Sequence, residues 1–107
     1  MTDYLDAIQA CNACALACEN CARACLAEEH ADSMRDCIRL DLDCAALCRL
    51  SALLMIRDSR WATEAVRICA RACRACAQEC ARHPHDHCQQ CSQTCSHCAV
   101  SCEALVA

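Results

Sequence analysis

The stretch CNACALACENCARAC, residues 11–25, places cysteine at positions 11, 14, 18, 21 and 25. The gaps alternate three, four, three, four. An α-helix turns once in about 3.6 residues, so side chains on this alternation share one face. The same spacing recurs along the chain. Cys37, Cys44 and Cys48 form a second set, and Cys69, Cys73, Cys76 and Cys80 a third. Cys88, Cys91, Cys95, Cys98 and Cys102 form a fourth. Threes and fours fill the a and d positions of a heptad, the seam that faces a neighbouring helix.

The breaks between these sets divide the chain into four helices. Glycine is absent and Pro84 is the only proline, which leaves little material for tight turns or hairpins. Alanine, leucine, arginine and glutamate favour helix. EEHADS at 28–33 is the first break, with Asp32 or Ser33 as the expected N-cap. RDSRW at 57–61 is the second. HPHD at 83–86 is the third, where Pro84 stops one helix and Asp86 is placed to cap the next. Helices are therefore expected near 3–28, 33–57, 60–82 and 86–105. Short links make neighbours antiparallel, so the expected fold is all-α: an up-down-up-down four-helix bundle with a cysteine-lined core. The pattern repeats about every 25 residues, as a bundle repeat rather than a solenoid.

The chain of 107 residues fits one domain spanning 1–107. It has no Phe, one Trp, one Tyr and three Met, so seventeen Cys and many Ala must fill the interior. Protonated cysteine packs as a small hydrophobe, which makes such a core possible without metal. Net charge is −4. No basic block with interleaved aromatics occurs, so no nucleic-acid partner is expected. No run of eighteen apolar residues occurs, so no membrane span is expected. The start, MTDYLDAIQA, has neither a basic n-region nor an apolar h-region, and the expected location is the cytoplasm.

Several chemistries use clustered thiols. Disulfide-stapled scaffolds are loop-rich and irregularly spaced, and an odd count of cysteines leaves one over. The pairs with nine residues between them, such as Cys11 and Cys21, resemble helical-hairpin disulfide motifs but follow automatically from the spacing. A bacterial iron–sulfur run needs C-x2-C-x2-C-x3-C-P, which the chain lacks. Zinc takes closed sets of four ligands, and a continuous seam does not divide naturally into fours. Soft thiolates select Cu(I), which accepts two or three sulfurs and tolerates bridging. Seven C-x3-C pairs each offer two thiolates on one helix: 14/18, 21/25, 44/48, 69/73, 76/80, 91/95 and 98/102. Cys11, Cys37 and Cys88 then require partners from other helices. Cysteine as mere filler is the plain alternative, but leucine would stabilise the same seam better without oxidising. The thiol column points to many Cu(I) ions, held for storage and buffering and not for catalysis. A thiol-redox or disulfide-stapled scaffold and a zinc-binding protein are the alternatives.

The four cysteine-lined helices, together with HPHDHCQQCSQTCSHC at 83–98, resemble the cytosolic copper storage proteins of bacteria. The resemblance covers nearly the whole chain. It implies a four-helix bundle that assembles as a homotetramer and holds multiple Cu(I) ions on its core cysteines. Exported members carry a leader that is lacking here, so the resemblance implies the cytosolic branch. No motif identifies a copper donor or acceptor protein. Helix two departs from full occupancy, with Asp41, Ser51 and Met55 on its stripe.

Antiparallel order sorts the remaining residues into two ends. Tyr4, Leu5, Ile8, Leu53, Leu54, Met55, Ile56, Trp61, Leu105 and Val106 gather at one, read as an apolar plug. His30, Met34, His83, His85 and His87 gather at the other, beside Cys25, Cys37, Cys80 and Cys88. Imidazole and thioether both accept copper, so this end reads as the mouth. His83 and His87 are the expected ligands there, while His30 and His85 read as solvated loop residues. His97 lies off the stripe and reads as surface. Asp41 is either a polar group on the core stripe or rotated out in favour of Leu40.

Overall fold

In the computed structural model, which describes residues 4–106, the chain forms four helices: α1 (Leu5–Leu26), α2 (Arg35–Ile56), α3 (Ala62–Ala81) and α4 (Asp86–Val106). A 3₁₀ turn, Ala31–Met34, leads into α2. Each helix packs on its two neighbours in the ring α1–α2–α3–α4–α1, which is the up-down-up-down bundle. The rod measures 44 × 18 × 17 Å. The helices match the expected four, with ends shifted by one or two residues. The expected start near residue 3 lies outside the described residues.

The links explain those shifts. Ser33 does not cap α2. Its hydroxyl donates to the carbonyl of His30 at 2.7 Å and closes the 3₁₀ turn, leaving Met34 at the cap position without a side-chain bond. At the second link, Asp58 takes the left-handed conformation at φ 51°. Its N–H donates to the Met55 carbonyl, and that of Ser59 to the Leu54 carbonyl at 2.9 Å. This double bond is the usual helix stop with glycine at its left-handed position. A chain without glycine uses aspartate, one of the few other residues that visit this region readily. At the third link, the His85 carbonyl accepts the N–H groups of Cys88 and Gln89 at 3.0 Å, so His85 stands where Asp86 was expected. Asp86 falls in the first turn of α4, where its charge suits the helix dipole.

All seventeen cysteines are buried on the inner seam. Alanines flank them, Ala7, Ala15, Ala45, Ala52, Ala70, Ala77 and Ala99 among them, and let the helices approach closely. The outer faces carry ion pairs such as Arg49–Glu19 and the two-pronged Arg74–Glu103, both at 2.7 Å. Exposed pairs of this kind contribute about 1 kcal/mol or less, so the seam carries the fold.

The apolar end is closed by fewer residues than the sequence offered. Ile8 and Met55 are buried, with Tyr4, Leu54, Leu105 and Val106 packed against them. Leu5, Leu53, Ile56 and Trp61 face outward, Trp61 with 60% of its surface exposed. The bundle is narrow because its core is mostly cysteine and alanine, so two large side chains suffice to close it.

Candidate metal centre

Every core thiol finds sulfur neighbours within 4.0 Å. Between helices, Cys14 meets Cys95 at 3.4 Å, Cys37 meets Cys80 at 3.4 Å, and Cys18 meets Cys95 at 3.5 Å. Cys44 meets Cys73 at 3.6 Å, Cys48 meets Cys69 at 3.6 Å, and Cys11 meets Cys102 at 3.7 Å. Within helices, the sulfurs of 14/18, 21/25, 69/73, 76/80 and 91/95 stand 3.8–4.0 Å apart. The shortest approaches are therefore between helices, and a C-x3-C pair never stands alone as a two-ligand site. A metal–thiolate bond of about 2.3 Å sets three sulfurs around one ion about 4.0 Å apart. The thiols already stand near that spacing.

The thiols group in fours, and the groups overlap. Cys14, Cys44, Cys48 and Cys73 form one, and Cys14, Cys18, Cys44 and Cys95 another. Cys18, Cys76, Cys91 and Cys95 form a third, and Cys11, Cys69, Cys98 and Cys102 a fourth. Within each, the ligand atoms lie within 4.8 Å of one another. Cys14, Cys18, Cys44 and Cys95 each belong to two of these groups, so neighbouring groups share sulfurs. Such a column suits an ion that tolerates shared thiolates.

Charge in this column is costly. Burial pushes the Cys25 thiol up, and burial followed by the nearby Cys37 pushes Cys88 up to about 11. Hydrogen bonds from neighbouring thiols, with burial added, push Cys18 and Cys48 up as well. A cation that takes these raised thiols as ligands must displace their protons.

Asp41 interrupts the sulfur. It is fully buried on α2, and Leu40 is the half-buried neighbour, so the stripe carries the aspartate inward. Its Oδ1 accepts thiol hydrogen bonds from Cys76 at 3.2 Å, Cys91 at 3.3 Å and Cys80 at 3.5 Å. Burial pushes its carboxyl up to about 8.

The mouth mixes nitrogen with sulfur. His87 points Nδ1 at Cys88 (3.5 Å), Cys21 (3.7 Å) and Cys25 (3.9 Å), and these four form one candidate ligand set. Its Nε2–H donates to Glu28 at 2.8 Å, which leaves the Nδ1 lone pair facing the thiols. That bond also holds the Glu28 carboxyl below its usual range. His85 stacks on His87 with ring centres 5.4 Å apart and reaches Glu28 at 3.4 Å. His83 meets Glu79, one turn back on α3, at 2.8 Å. Met34 is buried, whereas His30 and His97 are exposed. Glu28 and Glu79 were not picked out from the sequence. Glu79 was findable at i, i+4 from His83. Glu28 reaches His87 from across a chain break, and no local spacing reveals that.

Among known proteins, a family model described as copper storage protein matches residues 1–107. The structure is similar to the Cu(I)-bound copper storage protein BsCsp3, with 40% identity and a TM-score of 0.94, over 98% of this chain and 99% of that one. It is similar in the same way to a cytosolic copper storage protein from Streptomyces lividans solved with five coppers. There the identity is 36% and the TM-score 0.94, over 98% and 92% of the two chains. An uncharacterised cysteine-rich protein of Bacillus subtilis, YhjQ, is 42% identical over 71 residues, which is 65% of this chain and 66% of that protein.

Proposed function

The chain belongs to the copper storage protein family, and from that premise we propose that it stores and buffers Cu(I) in the cytoplasm as one domain spanning 1–107, on all seventeen core cysteines. The observation that carries this reading is the sharing of thiols between overlapping groups of four. Zinc in closed tetrahedral sites uses each thiolate once. Cu(I) takes two or three soft thiolates and lets them bridge, so a shared column wastes no ligand. Each ion that binds displaces thiol protons, which leave to solvent, and the bundle needs no refolding because sulfur spacing is already near that of a bound ion.

His87 is the receiving ligand of the mouth, with Glu28 orienting it and Cys21, Cys25 and Cys88 taking the ion inward. His83 supplies a second imidazole at the same rim, held by Glu79. The outer faces expose Leu16, Leu42, Leu50, Ile68 and Val100, which supports assembly as a homotetramer with copper entering each chain separately. An anaerobic thiol count with DTNB tests the storage reading. Nearly seventeen reactive thiols that disappear on Cu(I) loading support it. Few reactive thiols before copper is added, regained only with reductant, would replace it with a disulfide scaffold.

A further inference from the structure

Ser51 is the one position on the α2 stripe where a polar group faces the core with nothing to bond. The stripe reads Cys37, Asp41, Cys44, Cys48, Ser51, Met55, and all six are buried. Ser51 is 0% exposed, and its Oγ has no hydrogen-bond partner. Asp41, the other polar residue on this stripe, is satisfied by four thiols. A buried hydroxyl without a partner is unfavourable, and native structures rarely keep one without a reason. Alanine would fit the same helix and remove the conflict.

Its place in the column supplies a reason. Ser51 lies one turn beyond Cys48 and one turn before Met55. Cys48 meets Cys69 at 3.6 Å, and Cys69 belongs to the group with Cys11, Cys98 and Cys102. One turn further along each helix the sulfur gives way to apolar residues, namely Ile8, Met55, Val66 and Leu105. Ser51 therefore stands at the level where the thiols end. In the empty protein Ser51 makes no hydrogen bond to the innermost layer of sulfurs, Cys11, Cys69, Cys98 and Cys102. Once an ion binds they become thiolates, and a thiolate is a far better acceptor for a hydroxyl.

We infer that Ser51 is a hydrogen-bond donor held for the copper-loaded state, its Oγ–H turning onto a metal-bound thiolate of the innermost layer and marking the floor of the ion column. The inference rests on the storage reading above. A hydroxyl there stabilises the charge of bridging thiolates without adding charge of its own, and it stops the column because a neutral oxygen is a weak ligand for Cu(I).

Two variants test it against wild type measured in parallel. Ser51→Ala is expected to melt at or above the wild-type temperature when empty, because the orphan donor is gone. When loaded, it is expected to release its slowest copper to a competing chelator about tenfold faster than wild type. Ser51→Cys is expected to bind about one more Cu(I) than wild type, because the column gains a thiolate. A purely structural serine would shift the empty and loaded proteins alike. Equal shifts in both states, or unchanged copper release with Ser51→Ala and unchanged capacity with Ser51→Cys, would overturn the assignment. Wild type that saturates with only a few ions would instead sink the storage reading itself, and the two failures are thus distinct.

Discussion

The two ends of the bundle close the same thiol column by opposite means. At one end His87 turns a ring nitrogen onto Cys21, Cys25 and Cys88, with Glu28 fixing its other nitrogen. At the other, Ile8 and Met55 are buried across the end of the bundle, and neither thiol nor imidazole is among the residues that close it. Sulfur between them is continuous except at Asp41 and Ser51. The contrast separates two tasks. Polar, protonatable groups at a rim exchange a cation with water at little cost, whereas an apolar floor holds the helices together and excludes water. Capacity belongs to the thiols and exchange to the mouth, while the floor adds its burial to the stability of the seam.

That division fails or sharpens in four ways. The largest effect is copper itself. The empty protein is expected to show strong helical circular dichroism, because heptad packing does not depend on metal. Loading should raise its melting temperature by more than about 20 °C, since ions bind only the folded column. A random-coil spectrum before loading would show that metal, not the floor, holds the fold. Next comes Met55→Ala, which removes the largest buried group of the floor. It should cost about 2–4 kcal/mol in the empty protein, read by denaturant unfolding, while copper capacity stays the same. Capacity loss in step with stability would merge the two tasks.

Replacing His83 and His87 together with Ala is the third. Stopped-flow transfer of Cu(I) to and from a chelator should slow about tenfold, with final capacity nearly unchanged, because core thiolates carry the affinity. Unaltered rates, with slowing instead on substitution of Trp61 or Met55, would move the entrance to the opposite end. The last test is at Asp41 in the empty protein. Its carboxyl is pushed up to about 8 by burial, so between its ordinary range and that value the folded state keeps a proton that the unfolded state has lost. Stability should therefore fall as pH rises from about 4 to about 8. Asp41→Asn should remove that slope. An unchanged slope in thermal melts across this window would show that Asp41 is ionised in the core.

Most of the fold was legible because one residue type marks it. Cysteine at threes and fours identifies the buried face of every helix, and a helix with one apolar face has few ways to pack. What escaped the sequence depends on rotation and on contacts across breaks. Asp41 and Leu40 are adjacent, about 100° apart around the helix, and periodicity alone did not choose between them. Leu53, Ile56 and Trp61 read as plug because position along the axis is legible, whereas their angle past the helix ends is not. Ser33 and Asp86 read as caps, but Ser33 closes a 3₁₀ turn and Asp86 lies one residue inside α4. At the mouth, His87 and His83 share one loop sequence yet meet different carboxylates. The difference is set by Glu28, which the link after α1 delivers from nearly sixty residues away.

The central claim is that shared thiolates make one column and not a few closed sites. An anaerobic Cu(I) titration with elemental analysis of the protein separated from unbound metal tests it most directly. Bridging by seventeen thiols predicts saturation on the order of one Cu(I) per cysteine. Saturation near four equivalents per chain, the number that closed four-thiolate sites would allow, would contradict it.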